Sequence, residues 1–486
     1  MSAQSLALNA HISSTAQPHG RHRVIIASED KTMCDSNGEQ EAQRRIGQVM
    51  RAIRHTMPAI DFNFSEIGAA EVREGLLDGQ PIERAVFILR SRGCEWALKG
   101  EGCTMCGHFV GTRRGAPIDA DLYVRQFERQ LEQFDFERLP MLCLYNSGSF
   151  LNDAELPAEA RTRIFRRIAG IRGIRHLVIE SRPEYVTEAV LQELCDILGD
   201  KTLEVGMGLE TVDDQVRSLC LNKGFDKDDY LRAANAVSRT GARLLAYVLV
   251  KPPFLLESEA IEDAARTVAY AFDNGARAVS LEPVSVQDYT LIQYLYEAGY
   301  YRSPWIWSIF DVVRKTHGLG EIRIGGFKFL PVPKIFTHNC PLCDALCLKE
   351  IFAYNTGAGV LGLNALHCSC QEAWRRDTQM TDPRPLSQRV CRTLRDINQR
   401  HVLEQIRKAT TLRTGAAPLA AESGTEETGA CRPQRPSPIG TGVPQGRLRI
   451  FEQPAVHRDE RLPIETRSRL PRRRGRLTLR HQAVPV

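Results

Sequence analysis

Residues 85–107 read A-V-F-I-L-R-S-R-G-C-E-W-A-L-K-G-E-G-C-T-M-C-G, an apolar run followed by three closely spaced cysteines. The apolar run predicts a buried strand, and the polar, glycine-containing stretch behind it predicts a loop. That loop carries Cys94, Cys103 and Cys106, with no fourth cysteine nearby. Because a cubane iron-sulfur cluster is normally held by four thiolates, three of them indicate a [4Fe-4S] cluster with one iron open to an outside ligand.

The same thiols also suit zinc, since thiolate sulfur is a soft ligand for both metals. A structural zinc site needs four protein ligands, and the nearby sequence offers only His108 as the fourth. A zinc loop of Cys94, Cys103, Cys106 and His108 is therefore the alternative to the cluster.

Downstream of the cysteines, short apolar runs alternate with amphipathic stretches, which is typical of strand-helix units around a parallel sheet. Six strands are predicted, over Ala85–Arg90, Met141–Asn146, His176–Ser181, Leu203–Glu210, Arg243–Val250 and Ala276–Pro283. Helices are predicted over Asp119–Phe134, Pro157–Ala169, Pro183–Leu198, Asp213–Cys220, Lys227–Thr240 and Glu257–Asp273. The predicted class is α/β, a partial (β/α)6 barrel rather than a closed eight-stranded one.

Polar residues follow the predicted strands at their carboxyl ends, where the loops of such barrels converge and the chemistry collects. The candidates there, besides the cysteine loop, are Ser147, Gly148, Ser149, Glu180, Arg182, Glu210, Lys251 and Glu282.

A second cysteine group follows the predicted barrel, with the pattern C-x2-C and C-x-C. Its members are Cys340, Cys343, Cys368 and Cys370. Four thiolates can close a tetrahedral zinc site that contributes to folding, so a small C-terminal zinc module is predicted. Competing ligands are His338, Cys347 and His367. A second iron-sulfur cluster and unligated buried thiols stay open as alternatives.

Charge separates the tail from the rest of the chain. Residues 411–486 hold fourteen Arg and seven Asp or Glu, a balance of 14 − 7 = +7, whereas the whole chain carries +5. This segment is rich in Pro, Gly, Ser and Thr, which predicts disorder. An Arg-rich tail fits either an RNA phosphate contact or a solvated extension without a partner. The predicted division is a disordered segment 1–38, a helical extension 39–80, the barrel 81–320, a cysteine module 321–410 and a disordered tail 411–486.

Several function classes lack support in the sequence. No apolar run approaches the roughly 18 residues of a membrane helix, and the polar start over residues 1–21 lacks a signal-peptide apolar region. We therefore expect a cytoplasmic protein without a membrane partner. Phosphate-loop, nucleophile-elbow and zinc-protease helix motifs are missing as well.

Three further motifs carry a family resemblance. They are I-E-S-R-P-E-Y-V (179–186), V-G-M-G-L-E-T-V-D-D-Q-V (205–216) and N-K-G-F (222–225). With the cysteine loop, they resemble the radical SAM (S-adenosylmethionine) superfamily, in which the usual spacing C-x3-C-x2-C is here stretched to C-x8-C-x2-C. Over about residues 80–375 the chain is similar to the archaeosine-biosynthesis radical SAM proteins, and more distantly to the elongator catalytic subunits. The acetyltransferase-like domain that follows the barrel in elongator subunits has no counterpart.

The resemblance implies a role for each matching residue. Cys94, Cys103 and Cys106 would hold the cluster, and Met105 would pack by the adenine of SAM. Ser147, Gly148 and Ser149 would meet its amino group, and Glu180 and Arg182 would bind its polar end. Glu210 is a candidate for the SAM ribose or the substrate. A structural ion pair at the barrel rim is the alternative for Glu180 and Arg182.

The implied function is reductive SAM cleavage, with an external electron donor, in modification of a 7-deazaguanine nucleoside of tRNA or of a modified-base precursor. The resemblance further implies C–N bond cleavage on a lysine adduct of that base, with a separate partner installing the lysine. Two alternatives stay open: a radical SAM enzyme acting on a small molecule or DNA, and a non-catalytic, zinc-bearing RNA-binding scaffold.

Overall fold

The computed structural model describes residues 38–58, 62–99, 101–327 and 331–398. The predictions of disorder for the N-terminal segment before Gly38 and for the Arg-rich tail lie outside these residues. Among the described residues, no helix combines the length and apolarity needed to cross a membrane.

One eight-stranded sheet organises the described chain, with its strands in sequence order. Strand β1 pairs antiparallel with β2, and each later pair is parallel. The strands are β1 Ala69–Leu77, β2 Gln80–Ile88, β3 Met141–Tyr145, β4 His176–Glu180, β5 Thr202–Glu210, β6 Arg243–Val250, β7 Ala276–Pro283 and β8 Glu321–Ile324. Because β1 and β8 do not pair in the described chain, the sheet is an open, curled half-barrel, which confirms the predicted fold class.

All six predicted strands are present, and β6 and β7 have the predicted bounds. Two strands were missed. The predicted helical extension over residues 39–80 is helical only to His55 and then gives strand β1, a correction to that prediction. Asp78 and Gly79, both at positive φ, join β1 to β2, and an Asp-Gly pair is a known hairpin signal. Strand β8 has only four residues, too few for a clear alternating pattern.

Helices precede the sheet, connect its parallel strands and follow its last strand. They are α1 Gly38–His55, α2 Glu95–Leu98, α3 Ala120–Leu131, α4 Ala158–Ala169, α5 Glu188–Leu198, α6 Asp214–Val216, α7 Lys227–Ser238, α8 Glu257–Asp273, α9 Leu291–Glu297, α10 Ile306–Thr316, α11 Asp344–Ala353, α12 Leu361–Ala365 and α13 Gln371–Thr378, and a last helix covers residues 386–398. Shorter 3₁₀ turns cover His108–Gly111 and Pro183–Tyr185, and π-helical turns cover Arg217–Leu221 and Tyr354–Ala358. Local caps fix several starts: the Asp119 side chain accepts a hydrogen bond from the Leu122 amide at 2.7 Å and begins α3.

The two faces of the sheet bury different side chains, because residues alternate along each strand. Phe87, Leu144 and Ile179 pack against the outer helices in the main core. Val86 and Val178 belong to a smaller cluster on the concave face.

That concave face is charged near the amino-terminal ends of the strands. Glu204 is buried and receives hydrogen bonds from Arg323 at 2.9 Å and from His176 at 3.1 Å. Burial by itself would raise the pKa of Glu204, but these two partners together lower it to about 2. These buried charged side chains fill the barrel interior at the amino-terminal ends of the strands. The candidate site lies at the opposite, carboxyl-terminal end.

Helix α1 packs beside that site. Its apolar face shares a core with α9 and residues 386–398, and Met105 of the cysteine loop packs against this core. The Arg54 guanidinium lies 5.0 Å from the Phe109 ring centroid, and Arg51 pairs with Glu101 at 2.9 Å. The N-terminal helix thus braces the cysteine loop from outside the barrel.

Candidate functional site

The three predicted cluster thiols lie in the loop after β2, at the carboxyl edge of the sheet. Cys94 precedes α2, and the Cys106 amide donates to the Cys103 carbonyl at 3.3 Å. Burial raises the pKa of Cys94 to about 12, with further contributions from Glu155 and Cys103. Burial also raises the pKa of Cys106, and the neighbouring Cys103 adds to this shift. Burial therefore disfavours free thiolates at Cys94 and Cys106, so their deprotonated forms would need a bound cation.

The extra length of the cysteine loop has a structural explanation. Helix α2 takes up part of the long interval between Cys94 and Cys103. The loop is then fastened to the segment after β5: Thr104 donates from its amide to Leu221 O at 3.1 Å and from its hydroxyl to Cys220 O at 2.6 Å.

Two more contacts complete this fastening. The Asn222 side-chain amide donates to Gly102 O at 2.9 Å, and the Trp96 indole donates to Asn222 O at 2.7 Å. Gly224, at φ +72°, lies under the Trp96 ring, where a Cβ would overlap the indole. The sequence did not predict that Trp96 and Asn222 anchor this loop, because two partners 126 residues apart form no local pattern.

The Ser147–Gly148–Ser149 turn lies against the cysteine loop. Ser147 has φ +55°, and a Cβ on Gly148 would stand 3.5 Å from the Cys94 Cα and overlap the Glu155 carboxylate. The Ser149 amide donates to Glu155 at 2.5 Å. Gly148 is thus required for the close approach of this turn to the Glu155 carboxylate, whereas a Cβ would make only an ordinary contact with Cys94.

Glu155 joins the two loops and was missed by the sequence analysis. One carboxylate oxygen accepts from the Glu95 amide at 2.8 Å, and the other accepts from Ser149. Burial raises its pKa, and the hydrogen bonds from Glu95, Ser149 and Asn152 oppose that shift. Its position in an irregular loop carries no sequence signal.

Arg182 reaches the same edge, but it does not pair with Glu180. It forms an ion pair with Glu184 at 2.5 Å and donates to Lys223 O at 2.7 Å. Its guanidinium lies 5.6 Å from the Trp96 ring centroid. Burial disfavours its charge, but Cys103 and Glu184 raise its pKa. A positive charge therefore stands beside Cys94 and Cys103.

Carboxylates collect at the ends of neighbouring strands. Glu180 ends β4 and accepts a hydrogen bond from the Tyr247 hydroxyl at 2.8 Å, and Glu210 ends β5 and pairs with Lys223 at 2.7 Å. Glu282, near the end of β7, accepts from Ser280 at 2.7 Å.

Two of these carboxylic acids titrate near neutrality. Burial raises the pKa of Glu180 to about 7, with Glu210 adding to the shift. Burial also raises the pKa of Glu282 to about 7, with contributions from Glu180 and Glu210. Such groups can both donate and accept protons at physiological pH. This end of the barrel can therefore hold polar or cationic groups of a ligand.

The spacing of the three thiols disfavours the zinc-loop alternative. Metal-ligand atoms bound to one ion lie close together, since zinc–sulfur bonds of about 2.3 Å put tetrahedral sulfurs about 3.8 Å apart. Among the described residues, the one group of three or more potential ligand atoms within 4.8 Å of one another is Cys340, Cys343, Cys368 and Cys370, without Cys94, Cys103, Cys106 or His108. A cubane places each thiolate on a different iron, so wider spacing fits it.

The second cysteine group does have the spacing of a single-ion site. Its sulfurs lie 3.6 Å apart for Cys340 and Cys343, 3.6 Å for Cys340 and Cys368, and 3.7 Å for Cys343 and Cys370. The Trp307 indole donates to the Cys370 sulfur at 3.2 Å. These four residues could hold a metal ion, and the competing ligands His338, His367 and Cys347 are not part of the group.

Likenesses to solved structures are low in identity and overlap. The archaeal Elp3 of Methanocaldococcus infernus is 15% identical, with a TM-score of 0.36 and coverage of 50% of this chain and 59% of that one. The methylornithine synthase PylB is 13% identical, with a TM-score of 0.38 and coverage of 73% and 87%. No family model matches the sequence.

Sequence relatives are closer. The archaeosine synthase subunit beta of Methanosarcina acetivorans is 31% identical over 321 residues, which cover 65% of this chain and 91% of the relative. That of Thermococcus kodakarensis is 33% identical over 299 residues, covering 61% and 92%. On this likeness over nearly the whole length of both relatives, the chain belongs to the archaeosine synthase subunit beta family of radical SAM enzymes.

Proposed function

We propose that this protein cleaves SAM reductively at a [4Fe-4S] cluster and uses the resulting radical to modify a 7-deazaguanine nucleoside in tRNA. The observation that carries the proposal is the set of three half-buried thiols, Cys94, Cys103 and Cys106, beside the Ser147–Ser149 turn and a cationic Arg182. The relatives' name, archaeosine synthase, supports the tRNA nucleoside as the class of substrate.

The residues present fit the cluster and its cofactor. Three thiols supply soft ligands in a setting that favours a bound cation over free thiolates. With both groups bound, the site would supply one-electron cleavage of the SAM sulfonium to a 5'-deoxyadenosyl radical. An external donor supplies the electron.

The chain's own residues orient the cofactor in this proposal. The turn at Gly148 lies between Cys94 and the Glu155 carboxylate, where Ser147, Gly148 and Ser149 can meet the SAM amino group. Arg182 offers a guanidinium to its carboxylate, a pairing that can be two-pronged. Met105, packed against the core of helix α1, would flank the adenine.

The carboxyl groups of the barrel mouth then serve the substrate. Glu282 and Glu180 titrate near neutral pH, so each can share a proton with an amine or amidine of the base. Glu210 is held by Lys223 and stays a candidate for the SAM ribose or the substrate. Cleavage of a C–N bond on a lysine adduct is the reaction that we expect, and the word subunit in the relatives' names supports a partner chain that prepares this adduct.

We also assign zinc to Cys340, Cys343, Cys368 and Cys370. Their sulfur spacing of 3.6 to 3.7 Å agrees with the roughly 3.8 Å edge of a zinc–thiolate tetrahedron. The ion would stabilise the fold rather than take part in chemistry. A cytoplasmic location belongs to the same proposal.

The test is anaerobic reconstitution of the full chain with iron and sulfide. We expect about four irons, one zinc, and 5'-deoxyadenosine formed from SAM with dithionite. Cys103→Ala should abolish that product, and Cys195→Ala, on the outer helix α5, should leave it unchanged. Zinc alone, without a brown chromophore, would instead favour the non-catalytic scaffold.

Mass spectrometry of tRNA nucleosides from cells with and without the gene tests the substrate. A modified 7-deazaguanine nucleoside that disappears with the gene supports the tRNA proposal. An unchanged nucleoside profile with intact SAM cleavage would contradict it and favour a small-molecule or DNA substrate.

A further inference from the structure

Exposed arginines concentrate on one surface of the barrel, at the end opposite to the candidate site. Arg166 and Arg167 lie in the last turn of α4, and Arg172 and Arg175 lie in the loop between α4 and β4. All four are exposed. We call these four residues the arginine face.

Their charges are not neutralised within the described chain. None of the four arginines has an ion pair with a described carboxylate, whereas Arg163 of the same helix pairs with Asp121 at 2.6 Å and with Glu159 at 3.2 Å. A favourable interaction with the helix dipole accounts for positive charge in the last turn of α4. It does not account for Arg172 and Arg175, which come after that helix has ended.

The arginine face borders a groove. Arg172 and Arg175 line it together with Arg138, and its volume is about 510 Å³. Glu83 and Glu137 also line the groove, and Arg138 pairs with Glu83 at 3.4 Å. After this pairing, Arg172 and Arg175 face one further carboxylate, Glu137, so the groove keeps a net positive charge.

The position of the arginine face relative to the cysteine loop limits the kind of ligand that can contact both. Arg175 immediately precedes β4, so the face lies at the amino-terminal ends of the strands, and the cysteine loop lies at the carboxyl ends. The five residues of β4 span about 16 Å at 3.3 Å each. A free base or nucleoside bound at the thiols cannot also touch the arginines, whereas a polymer can.

We propose that the arginine face binds the phosphate backbone of the RNA substrate, so that the enzyme acts on a base presented in a polymer. Guanidinium groups bind phosphate oxygens in a two-pronged way and need no particular base sequence. This inference rests on the proposed tRNA substrate and adds where the RNA lies and why a free precursor is a poor ligand.

The experiment measures binding of unmodified tRNA by the full-length protein at several salt concentrations. One variant combines Arg166→Gln, Arg167→Gln, Arg172→Gln and Arg175→Gln. The matched control combines Arg44→Gln, Arg163→Gln, Arg232→Gln and Arg239→Gln, which removes the same net charge from exposed arginines that have carboxylate partners. Circular dichroism and 5'-deoxyadenosine formation without RNA check that each variant folds.

We expect the arginine-face variant to bind tRNA at least about tenfold more weakly at 0.15 M salt, with a salt slope shallower by about 3, since each lost phosphate contact contributes about 0.7 to 0.9. The control should change far less, and the corresponding four Arg→Lys substitutions should keep most of the affinity. Equal losses in both glutamine variants, or an unchanged slope in the first, would overturn the inference and leave the proposed function intact. Failure of the wild-type protein to bind tRNA would overturn both.

Discussion

The two groups of cysteines in this chain differ in the number and the spacing of their sulfurs. Cys340, Cys343, Cys368 and Cys370 bring four sulfurs within 4.8 Å of one another, enough to enclose one ion. The cysteine loop after β2 offers three more widely spaced thiols at the barrel mouth, fastened from both sides by Glu155 and Asn222. In the proposed assignment, the count and spacing of the thiols would separate a closed structural site from one with a coordination position left for a reactant.

The largest expected effect comes from removing one thiol of the cysteine loop after β2. Cys94→Ser should leave the zinc content unchanged, reduce the iron content and lower 5'-deoxyadenosine formation by at least about a thousandfold, since an incomplete ligand set cannot hold the cubane. Iron and zinc are quantified by plasma mass spectrometry. Loss of zinc with retained iron would reverse the two assignments.

The reciprocal change tests the closed group. Cys370→Ser should abolish zinc binding and lower the free energy of unfolding by about 2 to 4 kcal/mol, because binding energy of a structural ion is folding energy. Urea unfolding under anaerobic conditions measures the loss. Cys391→Ser, a buried thiol outside both groups, controls for the packing cost of the substitution. A stable, zinc-free Cys370→Ser protein would contradict the structural role.

Gly148→Ala probes the contact between the glycine turn and Cys94. The added methyl group overlaps the Glu155 carboxylate, so we expect the Kd for SAM to rise by about 10- to 100-fold, a penalty of about 1.4 to 2.8 kcal/mol. Equilibrium binding of SAM to the reconstituted protein gives the constant. Gly111→Ala, where a Cβ meets nothing within 4 Å, is the matched control. Equal affinities in the two variants would remove this turn from the cofactor site.

The carboxyl groups at the mouth predict a pH effect on stability. Burial raises the pKa of Glu180 and of Glu282 from 4.5 to about 7. Their contribution to the free energy of unfolding is therefore complete below about pH 4.5 and is lost as the pH rises through 7. Between pH 5 and 8 the free energy of unfolding should therefore fall in the wild type. In the double variant Glu180→Gln and Glu282→Gln that fall should be smaller by about 1 to 2 kcal/mol. Urea unfolding at each pH measures this. Identical pH profiles would show that these groups titrate normally.

The smallest expected effect concerns the anchor of the long loop. Trp96→Phe keeps most of the ring but removes the hydrogen bond to Asn222 O, which is worth about 1 kcal/mol. We expect a few-fold faster loss of iron during exposure to a chelator, followed by absorbance. Trp374→Phe, which removes a hydrogen bond to Ser308 far along the chain, controls for loss of an indole donor. Equal chelation rates in the two variants would contradict the anchoring role.

Local sequence patterns were enough to predict the repeated strands and helices of the fold. They also identified the cysteine ligands that have a recognisable spacing. The alternation of apolar runs and helical stretches gave β6 and β7 their bounds, and the four-cysteine group was found from its spacing. Strand β1 was missed because Ala, Glu, Arg and Leu, which favour helices, make up most of Ala69–Leu77, although Asp78 and Gly79 marked the hairpin.

The supports of the site could not be predicted, since they depend on pairs that folding brings together. Glu155 reaches Glu95 across 60 residues, and Trp96 reaches Asn222 across 126. The alternative of a structural ion pair for Glu180 and Arg182 illustrates the same limit, because the sequence could not identify the partners: Glu180 accepts from Tyr247, and Arg182 pairs with Glu184.

The most direct test of the account is electron paramagnetic resonance of the anaerobically reduced protein, recorded before and after addition of SAM. A cluster held by Cys94, Cys103 and Cys106 with one open iron predicts a reduced [4Fe-4S] signal whose g values shift when SAM binds. A protein without an iron-sulfur signal, or one whose signal is unchanged by saturating SAM, would contradict the open coordination position on which the proposed function depends.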